Sequence, residues 1–197
     1  METKLKDPVM VEGEWRDGAG SGVGRVLFTE EQIQQKIVEL GREIMRDYDG
    51  LQVVLVGILN GCLPFMADLM RQVKMDMEVD FMSVSSYGGG TQSSGVVRII
   101  KDLNFNIHGR HVLLVEDIID SGLTARYLLD NLRTRRPASV EICALLDKRE
   151  ARAEEVPLKY VGFECPNRFV VGYGLDHRQL YRNLPYIRLL EEDSPTS

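Results

Sequence analysis

Residues 112–125 read Val112-Leu113-Leu114-Val115-Glu116-Asp117-Ile118-Ile119-Asp120-Ser121-Gly122-Leu123-Thr124-Ala125, an apolar run that ends in acids and turns through small residues and hydroxyls. His111 to Val115 suits a strand covered on both faces, as in a parallel sheet. The strand delivers Glu116 and Asp117 to its carboxyl end, where open α/β sheets place ligands. Asp120-Ser121-Gly122-Leu123-Thr124 then turns the chain into a helix over 123–132. Small residues there let backbone N–H groups close on an anion, and the helix N-terminus adds the positive end of its dipole. Ser121 and Thr124 donate hydroxyl hydrogen bonds. One end of the segment therefore suits a phosphate. The other suits sugar hydroxyls, met directly or through a divalent ion, and together they suit a sugar phosphate. A helix cap alone needs one such residue, not three acids in five positions after a buried strand.

Outward from this stretch, helices and strands alternate. Thr29 with Gln32 fits a capping box, and Ile33, Ile37, Leu40 and Ile44 follow on one helical face until Tyr48-Asp49-Gly50. Leu51 to Leu59 is a second buried strand, ending in Asn60-Gly61 before a helix from Pro64 to Val73. Strands are also expected at 79–87, 96–103, 140–146, 160–164, 169–172 and 186–190. Gly88 to Gly95 holds four glycines and little to bury, which predicts a mobile loop. The expected fold is α/β: about five strands, mostly parallel, flanked by helices on both faces. A small C-terminal hood, joined by part of the N-terminus, completes it. Residues 1–24 are expected to form a flexible arm, 25–190 a single domain including the hood, and 191–197 a polar tail. Gly20, Gly22 and Gly24 lack a preceding strand and the full G-x-G-x-x-G, so they read as linker.

Composition narrows the function classes. The 197 residues are 44% apolar and 27% charged, which excludes disordered, collagen-like and membrane-bundle chains. A net charge of −6 argues against general nucleic-acid binding. The richest basic run, Arg133-Thr134-Arg135-Arg136, closes a helix, where cations stabilise exposed carbonyls. Cys62, Cys143 and Cys165 are odd in number and far apart, so free thiols in a reducing cytoplasm are expected. No apolar run approaches bilayer length.

The stretch Glu116-Asp117-Ile118-Ile119-Asp120-Ser121-Gly122 resembles the binding signature of the type I phosphoribosyltransferases, in its hypoxanthine-guanine form. Val56-Gly57-Ile58-Leu59-Asn60-Gly61 is similar to that branch's pyrophosphate loop, and Ser86-Tyr87 with the glycine-rich run to its closing loop. Leu145-Leu146-Asp147-Lys148-Arg149 and Phe169-Val170-Val171-Gly172-Tyr173-Gly174-Leu175-Asp176 are similar to its purine-recognition segments. The resemblance runs from about Phe28 to Leu189, with its motifs in the family's order.

The resemblance implies transfer of the 5-phosphoribosyl group from magnesium-bound phosphoribosyl pyrophosphate to hypoxanthine or guanine, giving a nucleoside monophosphate and pyrophosphate. By position, Asp120 is the implied proton acceptor, and Asp120, Ser121, Gly122, Leu123 and Thr124 hold the 5′-phosphate. Glu116 and Asp117 take the ribose hydroxyls and, with Asp176, form the implied Mg2+ set, while the Asp176 backbone meets the purine's 2-substituent. Lys148 donates to the 6-oxo group, Phe169 stacks on the base, and the Val170 backbone meets the base edge. Leu59, Asn60, Gly61 and Arg182 contact pyrophosphate, while Ser86 and Tyr87 close over the centre. Some relatives carry a cation where Asn60 stands, so backbone N–H groups are left to bind diphosphate at that turn. A homodimer or homotetramer, with neither nucleic-acid nor membrane partner, completes the implied picture. The rival reading is an RNA-binding regulator of the same fold, for which the acidic charge and the purine segments are poorly suited.

Overall fold

The structure, a computed structural model, describes residues 23–86 and 97–190. The arm up to residue 22, Tyr87, the glycine-rich run and the tail from 191 lie outside the described residues, and of Ser86 only the backbone is described.

Helix α1 (Glu30–Asp47) opens on the anticipated capping box: Thr29 N donates to Gln32 Oε1 at 2.9 Å and Gln32 N to Thr29 Oγ1 at 3.3 Å. Its buried face carries Ile33, Ile37, Leu40 and Ile44. Strand β2 (Val53–Leu59) pairs in parallel with both β3 (Met77–Ser86) and β5 (His111–Ile119). Between β2 and β3 lies α2 (Leu63–Gln72), with Pro64 in its first turn, where a missing N–H costs no helical bond. β4 (Val97–Lys101) runs antiparallel to β3 at the edge. After β5 come α3 (Leu123–Arg133), β6 (Ser139–Asp147) and β7 (Tyr160–Glu164), both strands parallel to their neighbours. The sheet order is β4-β3-β2-β5-β6-β7, six strands against the five expected, with the edge strand β4 the antiparallel member.

Strand alternation sorts the core into two layers. Val53, Leu55, Leu113, Val115, Cys143 and Leu145 pack against α1 and α2, whereas Val54, Val56, Val112, Leu114, Ile142 and Ala144 pack against α3. Continuous apolar strands are what a sheet covered on both faces requires.

The hood is a second sheet of order β1-β9-β8, all antiparallel, built from β1 (Val23–Phe28), β8 (Val170–Val171) and β9 (Ile187–Leu190). Val23 and Gly24, expected in the arm, lie in β1. This strand is short and broken by a glycine, so little in its own pattern marks it; pairing with β9 makes it a strand. The hood's Val170, Tyr173, Leu175, Ile187 and Leu189 belong to the same apolar cluster as α1 and α2, which seats the hood on the core. Among the described residues no helix is long and apolar enough to cross a membrane.

Candidate active site

Because β2, β5 and β6 run parallel, the turn after β2, the turn after β5 and Lys148 after β6 share one end of the sheet. β5 continues four residues past its expected end at Val115, since Glu116, Ile118 and Ile119 stay in register with Ala144, Leu146 and Asp147. Glu116 and Asp117 are therefore strand residues, adjacent at the end of the buried β5, and the charges of both act on the Cys62 thiol beyond β2.

At the start of α3, Glu116, Ile118, Ile119, Asp120, Ser121, Gly122, Thr124 and Ala125 line a cavity of about 160 Å³. Gly122 is the residue before α3 and sits at φ 82°, with no side-chain cap on the helix and no acid in its first turn. The leading N–H groups of α3 therefore lack the internal anion that most helices supply, which suits an external one. A Cβ at Gly122 would fall 2.4 Å from Glu154 O, so glycine is needed for both conformation and space. Ser121 O accepts from Ala153 N at 2.9 Å and Glu154 N at 3.0 Å, which fixes the turn from behind.

On the α2 face, Asp117 meets the Leu59-Asn60-Gly61 turn, whose Leu59–Asn60 peptide is cis. A Cβ at Gly61 would stand 1.7 Å from Asp117 Oδ2, and one at Gly174 (φ +98°) would stand 2.0 Å from Gly61 O. Asp117, Gly61 and Gly174 thus stack at backbone distance. Arg182 Nη1 donates to Gly174 O at 2.7 Å, and its Nη2 pairs with Asp176 Oδ1 at 2.7 Å. Asp176 Oδ2 also accepts from Gln179 N at 2.8 Å.

Burial pushes the Asp117 carboxyl up to about 6, with the Asp176 charge adding to it, while backbone N–H groups and Arg182 oppose the rise. Burial, then the Asp117 charge, raises Glu116 well above the usual carboxylate range. Two acids taken out of water next to each other are costly to ionise together, which favours a cationic or hydroxyl-bearing ligand beside them. Among the described residues no three His, Cys, Asp or Glu side chains converge as a metal site. Of the implied set, Glu116 feels the Asp117 charge and Asp117 feels that of Asp176. Asp117 and Asp176, whose charges act on each other, remain on the diphosphate side.

The base side is built from β6 and the hood. Lys148 is 6% exposed, and its Nζ lies 3.3 Å from Asp120 Oδ2. Asp120 itself is open, with a side chain 56% exposed. Lys148 N donates to Ile119 O at 3.0 Å, tying the lysine to the strand that carries the acids. Phe169 is an exposed aromatic, and the His177 ring meets it edge-on at 5.5 Å. Val170 is buried in β8.

Sequence reasoning missed the support behind these groups. The last residue of β6, Asp147, pairs at 2.5 Å with Arg152, both side chains buried, and this pair folds the segment that braces Ser121. In the sequence that segment, Glu150-Ala151-Arg152-Ala153-Glu154-Glu155, reads as a polar linker, with no periodicity to betray it.

The family pattern described as "Phosphoribosyl transferase domain" matches residues 27–178. The hypoxanthine-guanine phosphoribosyltransferase of Bacillus subtilis is 50% identical over 169 residues, covering 86% of this chain and 94% of that protein. The chain belongs to the phosphoribosyltransferases, in their hypoxanthine-guanine branch. The "Bifunctional protein TilS/HprT" of Listeria monocytogenes is 53% identical over 171 residues, 87% of this chain, and the match spans 26% of that longer protein. The crystal structure of a hypoxanthine phosphoribosyltransferase from Staphylococcus aureus superposes with a TM-score of 0.84 at 47% identity, covering 89% of this chain and 95% of that one. These likenesses do not favour the RNA-regulator reading.

Proposed function

We propose that the chain is a purine-salvage phosphoribosyltransferase acting on hypoxanthine and guanine. The observation that carries this is the cavity at the uncapped start of α3, flanked by Lys148 on the base side and by Asp117 and Arg182 on the other. Asp120, Ser121, Gly122, Leu123 and Thr124 hold the 5′-phosphate through backbone N–H groups and hydroxyls. Glu116 and Asp117 accept from the ribose hydroxyls. Lys148 leaves Asp120 to donate to the 6-oxo oxygen, and Phe169 covers the ring while the Val170 backbone meets the base edge. Asp120 takes the ring N–H proton as the new nitrogen–sugar bond forms and the sugar–oxygen bond to diphosphate breaks. The departing diphosphate rests on the Leu59-Asn60-Gly61 turn and on Arg182. Ser86 and Tyr87 close over the reacting centre and keep water from the cation-like sugar carbon.

The donor set suits magnesium arriving with the substrate. Mg2+ takes one or two carboxylates beside phosphate oxygens and water, and Asp117 and Asp176 supply hard oxygen donors on the diphosphate side. When bound, the ion neutralises charge on the leaving diphosphate. A cytoplasmic setting fits three buried free thiols. A homodimer or homotetramer is part of the same proposal, checked by light scattering.

The test is nucleotide formation from purified protein, magnesium, phosphoribosyl pyrophosphate and each base in turn. Hypoxanthine and guanine should give IMP and GMP. Turnover of neither base overturns the proposal.

A further inference from the structure

Tyr173 lies within the purine-recognition segment, beside the diphosphate turn, and its side chain has no place in the chemistry described so far. It lies in a run of three left-handed residues, Gly172 (φ 102°), Tyr173 (φ 48°) and Gly174 (φ 98°). A Cβ at Gly172 would fall 2.0 Å from Tyr186 O, and one at Gly174 2.0 Å from Gly61 O, so the turn is wedged between the hood and the diphosphate loop. A tyrosine at positive φ is uncommon, and a bulky residue holds that conformation only where its surroundings enforce it. Here the side chain supplies the enforcement. It is 5% exposed, and its hydroxyl donates to Asp68 Oδ2 on α2 at 2.5 Å, with Pro64 O 3.4 Å away. Asp68 is held in turn by Gln34 Nε2 of α1 at 2.7 Å and by the Arg71 guanidinium.

We propose that the Tyr173–Asp68 hydrogen bond is a latch that seats the hood on α2 and so aligns Gly174, Asp176 and Arg182 over Gly61 and Asp117. Tyr173 is a positioning residue for the diphosphate end of the site. The inference rests on the phosphoribosyltransferase reading and adds the contact that registers one half of the site against the other. The route is short: Tyr173 and Gly174 are consecutive, Gly174 O receives Arg182 Nη1 at 2.7 Å, and Arg182 holds Asp176. Neither Tyr173 nor Asp68 is among the residues that line the α3 cavity. Burial, then the Asp68 bond, holds the Tyr173 hydroxyl above its ordinary range, so it remains a donor throughout the working pH range.

The consequence is selective. Tyr173→Phe keeps the ring in the core and removes one hydroxyl. Magnesium pyrophosphate, titrated calorimetrically, should bind roughly tenfold more weakly, the size expected for losing one hydrogen bond to a charged acceptor. IMP, whose phosphate and base are held by the α3 turn and Lys148 and which meets the aligned residues only through its ribose hydroxyls at Asp117, should weaken much less. The same variant should raise KM for phosphoribosyl pyrophosphate with little change in KM for hypoxanthine. Asp68→Ala should reproduce the selective loss, and Asp68→Asn, which keeps an acceptor for the tyrosine, should restore most of it. Equal weakening of both ligands would mean general loosening of the fold and would overturn the latch, as would unchanged pyrophosphate binding. If Tyr173→Phe does not fold, the Asp68 pair decides: equal pyrophosphate affinity in Asp68→Ala and Asp68→Asn refutes the proposal. Failure of the underlying reading is distinguishable, because the parent protein would then bind neither IMP nor magnesium pyrophosphate.

Discussion

Gly61→Ala is the smallest change that should disable the site. The added carbon would stand 1.7 Å from Asp117 Oδ2, 2.5 Å from its Cγ and 3.1 Å from its Oδ1, where ordinary contact begins near 3.4 Å. Relief demands a displacement of more than an ångström, and neither side has room. Asp117 belongs to the buried β5, and behind Gly61 the Gly174 backbone is packed so closely that a Cβ there would be 2.0 Å from Gly61 O. The variant must therefore swing the carboxylate or push the diphosphate turn outward. Overpacking of this kind costs about 1–3 kcal/mol of stability. A misplacement of ~1 Å between reacting groups costs on the order of 100-fold in rate. Urea unfolding and steady-state rates with phosphoribosyl pyrophosphate and hypoxanthine measure the two effects separately. We expect a modestly destabilised, folded protein with kcat/KM down by at least roughly 100-fold. A folded variant retaining activity within about threefold would refute the reasoning, because the Asp117–Gly61–Gly174 stack would then not position the reacting ends.

Three further outcomes follow from the same geometry. Asp120→Asn should lower turnover by about 10²–10⁴ while phosphoribosyl pyrophosphate still binds by calorimetry; an unimpaired variant removes the proton-acceptor role. Lys148→Met keeps the buried stem and removes the donor, so binding of hypoxanthine and guanine should weaken by roughly 10- to 100-fold with phosphoribosyl pyrophosphate affinity nearly unchanged, as competition assays would reveal. The Asp117 carboxyl is raised to about 6 against an ordinary 3.8, so the folded protein binds the proton more tightly than the unfolded chain. Stability from this group is thus full below pH 4 and falls as pH rises toward 6, by up to roughly 3 kcal/mol, and Asp117→Asn should remove that slope. Urea midpoints of parent and variant at pH 4.5 and pH 7 test it: the variant should gain on the parent at pH 7, and a constant difference would contradict the shift.

Much of this was legible in the residues because burial on two faces leaves a continuous apolar signature. β2, β5 and β6 announce themselves that way, and α1 does so through its capping box and its isoleucine face. The apolar run of β5 ends at Val115, so its last four residues carry no continuous apolar signature. Here the parallel ladder with β6 carries Glu116 and Asp117 onward, and desolvation of those acids is the result. β1 was not legible, since its six residues become a strand only through pairing with β9, at the far end of the described residues. The supports of the site, the Asp147–Arg152 pair and the Tyr173–Asp68 bond, join residues whose sequence contexts look like linker and core. Nothing local distinguishes such pairs before the fold brings them together.

The central claim is that the turn from Asp120 to Thr124, at the open N-terminus of α3, holds the phosphate of a phosphorylated sugar. A crystal structure of the protein with IMP tests it most directly. The account predicts the 5′-phosphate within hydrogen-bond reach of the backbone N–H groups of Ser121 to Thr124, with the base toward Lys148. A nucleotide whose phosphate sits elsewhere, leaving that turn to solvent, would contradict it.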